Sequence, residues 1–182
     1  MKQSISDFKS KFSGGARPNL FSVQLFFPSG VPRTDPSTDT ILVKAASLPS
    51  SIIGTIEVPF RGRKLKVAGD RTFESWSITV INDTNMILRN KFELWMDLIS
   101  RNSVNLKDSP DLSYMQPINV YQLNSEQEAI KEYVIVDAFP VNISAIDLNY
   151  ETNDTIEEFT VEFSYQYWTS REANVIDYSG SI

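Results

Sequence analysis

The chain has 182 residues, is 41% hydrophobic and 12% aromatic, and carries a formal net charge of −6. That composition suits one folded domain, residues 1–182, with enough apolar material for a real core. Cysteine and histidine are both absent, which excludes disulfides and thiolate chemistry and removes the commonest general base and zinc ligand.

The charge is unevenly spread. Residues 1–71 hold 11 Lys+Arg against 5 Asp+Glu, a net of +6, and residues 72–182 hold 6 against 18, a net of −12. Two differently charged solvated surfaces would account for this. A sharper reading is self-association, with a basic surface of one copy meeting an acidic surface of the next. The start, Met1 to Asp7, has no apolar signal core, and no uncharged run reaches the length and apolarity of a membrane span. The chain is therefore expected to fold in a cytoplasm. The glycosylation sequons at Asn82, Asn142 and Asn153 then read as chance.

Residues 1–15 read as a polar arm, in which Ile5, Phe8 and Phe12 share one face of a short helix ended by Ser13-Gly14-Gly15. Leu20 to Phe27 alternates as a strand, with Phe21, Val23, Leu25 and Phe27 on one face. Pro28 to Thr40, rich in proline and hydroxyls, reads as a loop. Ile41 to Ala46 is a short strand stopped before Pro49. Ile53 to Val67 reads as a hairpin with Arg61-Gly62-Arg63-Lys64 at or near its tip. This cluster is short, poor in interleaved aromatics and part of an acidic protein, so a solvated or partner-facing hairpin is favoured over DNA binding.

Gly69-Asp70 is a turn signal, and Phe73 to Val80 alternates after it, with Glu74, Trp76, Ile78 and Val80 on one face. From about Asp83 to Ser100 the spacing of Leu88, Phe92, Trp95 and Ile99 gives one apolar helical stripe, capped by Asn82 or Asp83. Ser103 to Met115 is a polar connection. Strands are expected at Ile118–Leu123, Ile130–Val136 and Ile143–Tyr150, followed by a turn at Glu151–Asp154. The last strand puts Phe159, Val161, Phe163, Tyr165 and Tyr167 on one face and Glu158, Thr160, Glu162, Ser164 and Gln166 on the other. Residues 169–182 read as a polar tail. The expected class is mainly β with one flanking helix, an antiparallel β-sandwich or open barrel.

Chemistry finds little purchase. Glu157, Glu158 and Glu162 could be paired carboxylates of a glycoside hydrolase, yet their neighbours form an ordinary wet face. No element supplies the pocket that would raise one acid's pKa. Asp70 with Arg71 suits a salt bridge or turn contact better than a catalytic pair. No phosphate loop, calcium loop or metal-ligand cluster stands in the sequence. No catalytic, cofactor or metal residue is expected.

Four separated patches remain: Ala16-Arg17-Pro18-Asn19-Leu20-Phe21; Ala46-Ser47-Leu48-Pro49; Ala68-Gly69-Asp70-Arg71-Thr72-Phe73 with Trp76 and Asn82-Asp83; and Phe159-Thr160-Val161-Glu162 running to Tyr167-Trp168. In order and spacing, over roughly residues 16–168, they resemble the tail tube proteins of contractile-tailed phages. The Pro28–Thr40 segment and the tail after Trp168 are longer than that family's pattern.

The resemblance implies a structural subunit, not an enzyme. Two packed sheets with a flanking helix would form hexameric rings whose strands close into one inner β-barrel, and the rings would stack into a hollow tube inside a sheath. Its implied partners are further copies of itself, the sheath protein, baseplate and tail-terminator proteins, a tape measure protein in the lumen, and double-stranded DNA in non-specific passage. The implied place is the virion, after assembly in the host cytoplasm. A tube-like baseplate or tail-terminus protein, a tube subunit of a contractile injection system, and a carbohydrate-binding β-sandwich stay open as alternatives.

Two surfaces follow as expectations. The polar strand face Glu158, Thr160, Glu162, Ser164 and Gln166, with Asp147 and Asn149 of the preceding strand, would line the lumen, while the opposite faces, including Ile146, Leu148 and Tyr150, are core. The rival placement is on the outside, under the sheath. Arg61, Arg63, Lys64 and Lys66 would contact a neighbouring subunit.

Overall fold

A computed structural model of the protein describes residues 4–12, 15–33, 35–104 and 112–172. The chain enters through α1 (Ile5–Lys11), whose capping box joins the Ser4 and Asp7 side chains to each other's backbone N–H. After β1 (Phe21–Leu25), the segment expected to be a loop contains a short helix, α2 (Pro36–Ile41). Two local features explain it. Pro36 opens the helix, where its missing N–H costs nothing, and the Asp35 carboxylate accepts the Ser37 N–H at 3.0 Å. Hydrogen bonds from Ser37 hold the Asp35 carboxyl below the usual carboxylate range. Ile41 therefore ends a helix, and the following strand, β2 (Val43–Ala46), starts two residues later than expected.

Next come β3 (Ile52–Phe60), β4 (Arg63–Thr72), β5 (Trp76–Ile81) and the long helix α3 (Ile87–Val104). β6 (Gln116–Leu123), β7 (Ala129–Ile143), β8 (Glu158–Ser164) and β9 (Tyr167–Glu172) complete the described elements. All strand pairings among them are antiparallel.

The 15-residue strand β7 joins two layers. Its first part pairs with β6 on one side and, from Lys131 to Val136, with β9 on the other. Its last part, Phe139 to Ile143, pairs with β8. One layer is β1-β6-β7-β9 and the other is β7-β8-β5-β2. The corner is marked by Asp137, at φ +56°, and by register shifts on both sides of it. Bulges of this kind bend a strand and sharpen its twist. β8 and β9 follow the same bend as one line of chain beside β7, broken at Tyr165 and Gln166.

Three expectations change here. The strand foreseen at Ile130–Val136 continues to Ile143, so the one foreseen at Ile143–Tyr150 does not exist and residues 144–149 are irregular. The last strand is split in two, and its second half extends into the segment taken as tail. Gly69-Asp70 does not turn the chain but lies within β4. A Cβ on Gly69 would stand 3.2 Å from the carbonyl carbon and oxygen of Gly54. Glycine is needed there for close strand approach, at the bulge between Ile53 and Thr55.

The core lies between the layers and under α3. Trp76, Ile78 and Val80 of β5 face Phe159, Val161 and Phe163 of β8, all at most 2% exposed. Leu88, Phe92 and Trp95 of the helical stripe are buried and Ile99 packs against them. The Phe92 ring meets Phe27, Phe159 and Phe163 at centroid distances of 5.5, 6.4 and 5.9 Å, and the Trp95 indole donates to the Tyr114 carbonyl at 2.8 Å. Of the two expected caps, Asp83 acts, accepting the Ile87 N–H at 2.8 Å. Asn82 is buried and donates to Glu157 at 2.9 Å. α2 touches both β1 and β2, the edge strands of the two layers. α2 thus bridges the open side of the sandwich.

Candidate assembly surfaces

The four cations expected at a subunit contact all lie on the β3–β4 hairpin, but they do not form one patch. Arg61 and Gly62 form its two-residue turn at φ +45° and +78°, the left-handed pair that matches the twist of a tight hairpin. Lys64 sits opposite Pro59, and Lys66 opposite Glu57, on a polar face where Lys64 pairs with Glu57 at 2.6 Å. Arg63 sits opposite Phe60, on the other face.

That other face carries what the sequence reading overlooked. Val58 pairs with Leu65 and Ile56 with Val67. With Phe60, these five side chains are 45–67% exposed. β3 and β4 form a sheet of their own, and every residue of β3 is exposed. A lone two-stranded ribbon is marginal in water, and a contiguous apolar face of this kind marks an interaction site. The alternation Ile56, Val58, Phe60 against Leu65, Val67 was present in the sequence and could have given it away.

The base of the hairpin is strapped to the sandwich, and three of the four resemblance patches meet there. The Trp76 indole donates to the Ser47 carbonyl at 2.6 Å, and the Trp168 indole to the Ser50 carbonyl at 2.9 Å. Arg71 does not pair with Asp70. Its guanidinium lies 5.1 Å from the Phe73 and Trp168 ring centroids and donates to Ser51 Oγ at 3.1 Å. Cation–π stacking between two rings orients it. The Gly-Asp-Arg-Thr-Phe sequence therefore anchors a projecting ribbon.

The expected lumen face is divided. Glu158, Thr160, Glu162 and Ser164 do share the outward face of β8, opposite buried Phe159, Val161 and Phe163. Across β5 they meet Ser77, Thr79 and Ile81, so the layer presents mainly short hydroxyl and acidic groups. Gln166 stands at the break before β9. Asp147 and Asn149 are not on a strand but in the irregular loop between β7 and β8. Leu148 and Tyr150, expected in the core, are exposed, Leu148 at 81%. Only Ile146 of that set packs against the core.

The three candidate carboxylates of a hydrolase are held apart by separate partners. Asn82 donates to Glu157, Lys44 pairs with Glu158, and the Ser75 hydroxyl meets Glu162. Among the described residues no three acids are grouped to hold a metal ion, and no helix is long and apolar enough to cross a membrane.

A family model described as phage tail tube protein matches residues 16–171. The chain belongs to the phage tail tube protein family. It is 31% identical to tail tube protein gp19 of Enterobacteria phage T4 over 167 residues, which cover 90% of this chain and 98% of the relative. It is 27% identical to the tail tube protein of Serratia phage KSP90, over 88% of this chain and 93% of that one. Among solved structures the fold is similar to a chain of the anti-feeding prophage baseplate, with TM-score 0.66 at 18% identity, covering 90% of this tail tube family member and all of that chain. It is similar also to a chain of the PVC sheath-tube complex of an extracellular contractile injection system, with TM-score 0.59 at 15% identity and coverages of 94% and 99%.

Proposed function

We propose that this protein is the repeating subunit of the inner tail tube of a contractile phage tail, a virion component assembled in the host cytoplasm. Hexameric rings stack into a hollow conduit, sheath contraction drives the conduit through the host envelope, and the genome passes down its bore. The observation that carries this reading, beside family membership, is the ribbon β3–β4: its apolar face has no partner strand or layer among the described residues of its own chain. Full burial of a Val, Leu, Ile or Phe side chain contributes roughly 1.5–3 kcal/mol, so covering this face with another copy is a substantial drive to assemble.

Ring closure has its own surfaces. β2 is an edge of its layer, and beyond Ala138 one side of β7 pairs with no strand among the described residues. Such edges template pairing with a neighbouring chain, and a heterologous contact repeated around an axis closes a ring. The bore is lined by the outward face of β8. Its hydroxyl and carboxylate groups repel or ignore passing phosphates, whereas an arginine would hold them.

The work of the protein is mechanical and not enzymatic. Its partners are the sheath outside, the baseplate and terminator proteins at the two ends, and the tape measure protein and DNA inside. A reading as a baseplate or terminator paralogue takes support from the fold similarity to a baseplate chain. The tube reading takes more from the T4 relative, which the chain matches over nearly its whole length. Copy number per particle separates them. The direct test is negative-stain imaging of the purified protein, which should show hollow rings and tubes.

A further inference from the structure

The ribbon needs a receptor, and the described residues include a surface of matching chemistry. The loop between β7 and β8, residues 144–157, contains Asp147, Glu151, Asp154 and Glu157 and no Lys or Arg. It also exposes Leu148, Tyr150 and Ile156. Its arms enclose a cleft of about 620 Å³ whose apolar lining includes Ile146, Leu148, Tyr150 and Ile156. The ribbon, residues 52–72, contains Arg61, Arg63, Lys64, Lys66 and Arg71 against Glu57 and Asp70. At its tip stands Phe60, 67% exposed, flanked by Arg61 and Arg63. One surface is an apolar knob ringed by cations; the other is a mixed cleft in which exposed Leu148, Tyr150 and Ile156 stand beside Asp147 and polar groups of the same loop.

The two surfaces lie at opposite ends of the β8–β9 stretch of chain. The base of the ribbon is tied to Trp168 of β9, while the loop runs directly into Glu158 at the start of β8. Ten residues of chain separate these points, across the break at Tyr165 and Gln166. A knob at one end and a matching cleft at the other is a head-to-tail arrangement, and such a contact repeats without limit if it does not close.

We propose that the tip of the β3–β4 hairpin, Phe60 with Arg61 and Arg63, seats in the cleft of the 144–157 loop of a second copy of this chain. Phe60 enters against Leu148, Tyr150 and Ile156, and the arginines face Asp147 and Glu151. Desolvated, hydrogen-bonded charges at a contact of this kind set orientation and partner choice, while the aromatic supplies the anchor. The inference rests on the tube reading in requiring self-assembly, and it adds which surface receives the ribbon.

The native absence of cysteine makes a clean test possible. Phe60→Cys protein and Tyr150→Cys protein, mixed and oxidised under assembly conditions, should yield the 60–150 disulfide between chains as the main cross-linked species. In parallel, Arg61→Glu with Arg63→Glu, and separately Asp147→Arg with Glu151→Arg, should each raise the concentration for half-assembly at least about tenfold. Both variants should keep the circular dichroism of the parent. Putting both reversals in one chain should restore assembly to near the parental concentration. If the parent assembles but the 60–150 cross-link does not form, or the combined reversal gives no rescue, the ribbon docks elsewhere and only this inference falls. A parent that stays monomeric at every concentration overturns the tube reading along with it.

Discussion

Lys91 and Asp39, 52 residues apart in the chain, meet in the interior with both carboxylate oxygens within reach of the ammonium, at 2.6 and 2.8 Å. Both residues are under 5% exposed, and the ammonium also lies 4.6 Å from the Phe27 ring centroid. The pair pins α2 to α3 across the open side of the sandwich. Breaking such a pair on one side strands a buried charge. Lys91→Ala or Asp39→Ala should therefore cost about 3–5 kcal/mol, while replacing both partners by apolar residues of similar volume should cost far less. Urea unfolding of the three variants measures the difference; a double variant that loses the sum of the two single losses would show that the pair is not coupled.

The helix stripe gives the second prediction. Trp95 is fully buried between Phe27, Phe92 and Phe163. Trp95→Ala should remove about 3–5 kcal/mol and leave little soluble folded protein. A Trp95→Ala variant that melts like the parent would mean that α3 does not close the core.

Assembly is the third. Light scattering of the purified protein should find species of six times the monomer mass and, at higher concentration, much larger polymers. Val58→Asp with Leu65→Asp, which puts charge on the apolar face of the ribbon, should hold the protein below polymer size with an unchanged circular dichroism spectrum. Lys66→Glu, on the opposite face, should do much less.

The bore is the fourth. Glu158→Lys with Glu162→Lys leaves the buried side of β8 untouched and should give normal-looking tails that eject DNA slowly or incompletely, because each added cation attracts phosphate. Ejection kinetics on particles carrying the double variant decide it. Normal ejection with failed sheath assembly would place this face on the outside.

The last concerns alkaline pH. Burial raises the phenol pKa values of Tyr121 and Tyr165 above the ordinary value of 10.0. Their contribution to stability is present below the unfolded pKa, near 10, and is lost as pH rises through the raised folded values. The urea midpoint should fall above about pH 10, and Tyr165→Phe should flatten part of that decline. An unchanged slope would assign the loss to other groups.

What the sequence revealed and what it hid have physical reasons. Alternation in Trp76–Val80 and Phe159–Phe163 identified two central strands because one side of each is fully buried and the other wet. The stripe Leu88, Phe92, Trp95, Ile99 identified α3 for the same reason. The alternation of Ile146, Leu148 and Tyr150 misled because period two does not distinguish a strand from a loop whose apolar groups are exposed. Pro36 hid α2 behind a proline-rich composition, although Asp35-Pro36 is itself a helix-opening pair. Gly69-Asp70 looked like a turn because glycine's other use, letting two backbones touch, depends on a partner strand that the local sequence does not contain. The ribbon's cations were visible, but their division between two faces became legible only with the register of β3 on β4.

The corner in β7 has a consequence for load. Because one backbone runs through both layers, and β8–β9 runs beside it, the layers cannot be parted by peeling one edge strand at a time. A force that separates them must shear two long ladders together or straighten the bend at Asp137. Hydrogen bonds loaded in parallel fail at much higher force than bonds loaded one after another, which makes the subunit a stiff brick for a structure that is pushed from behind.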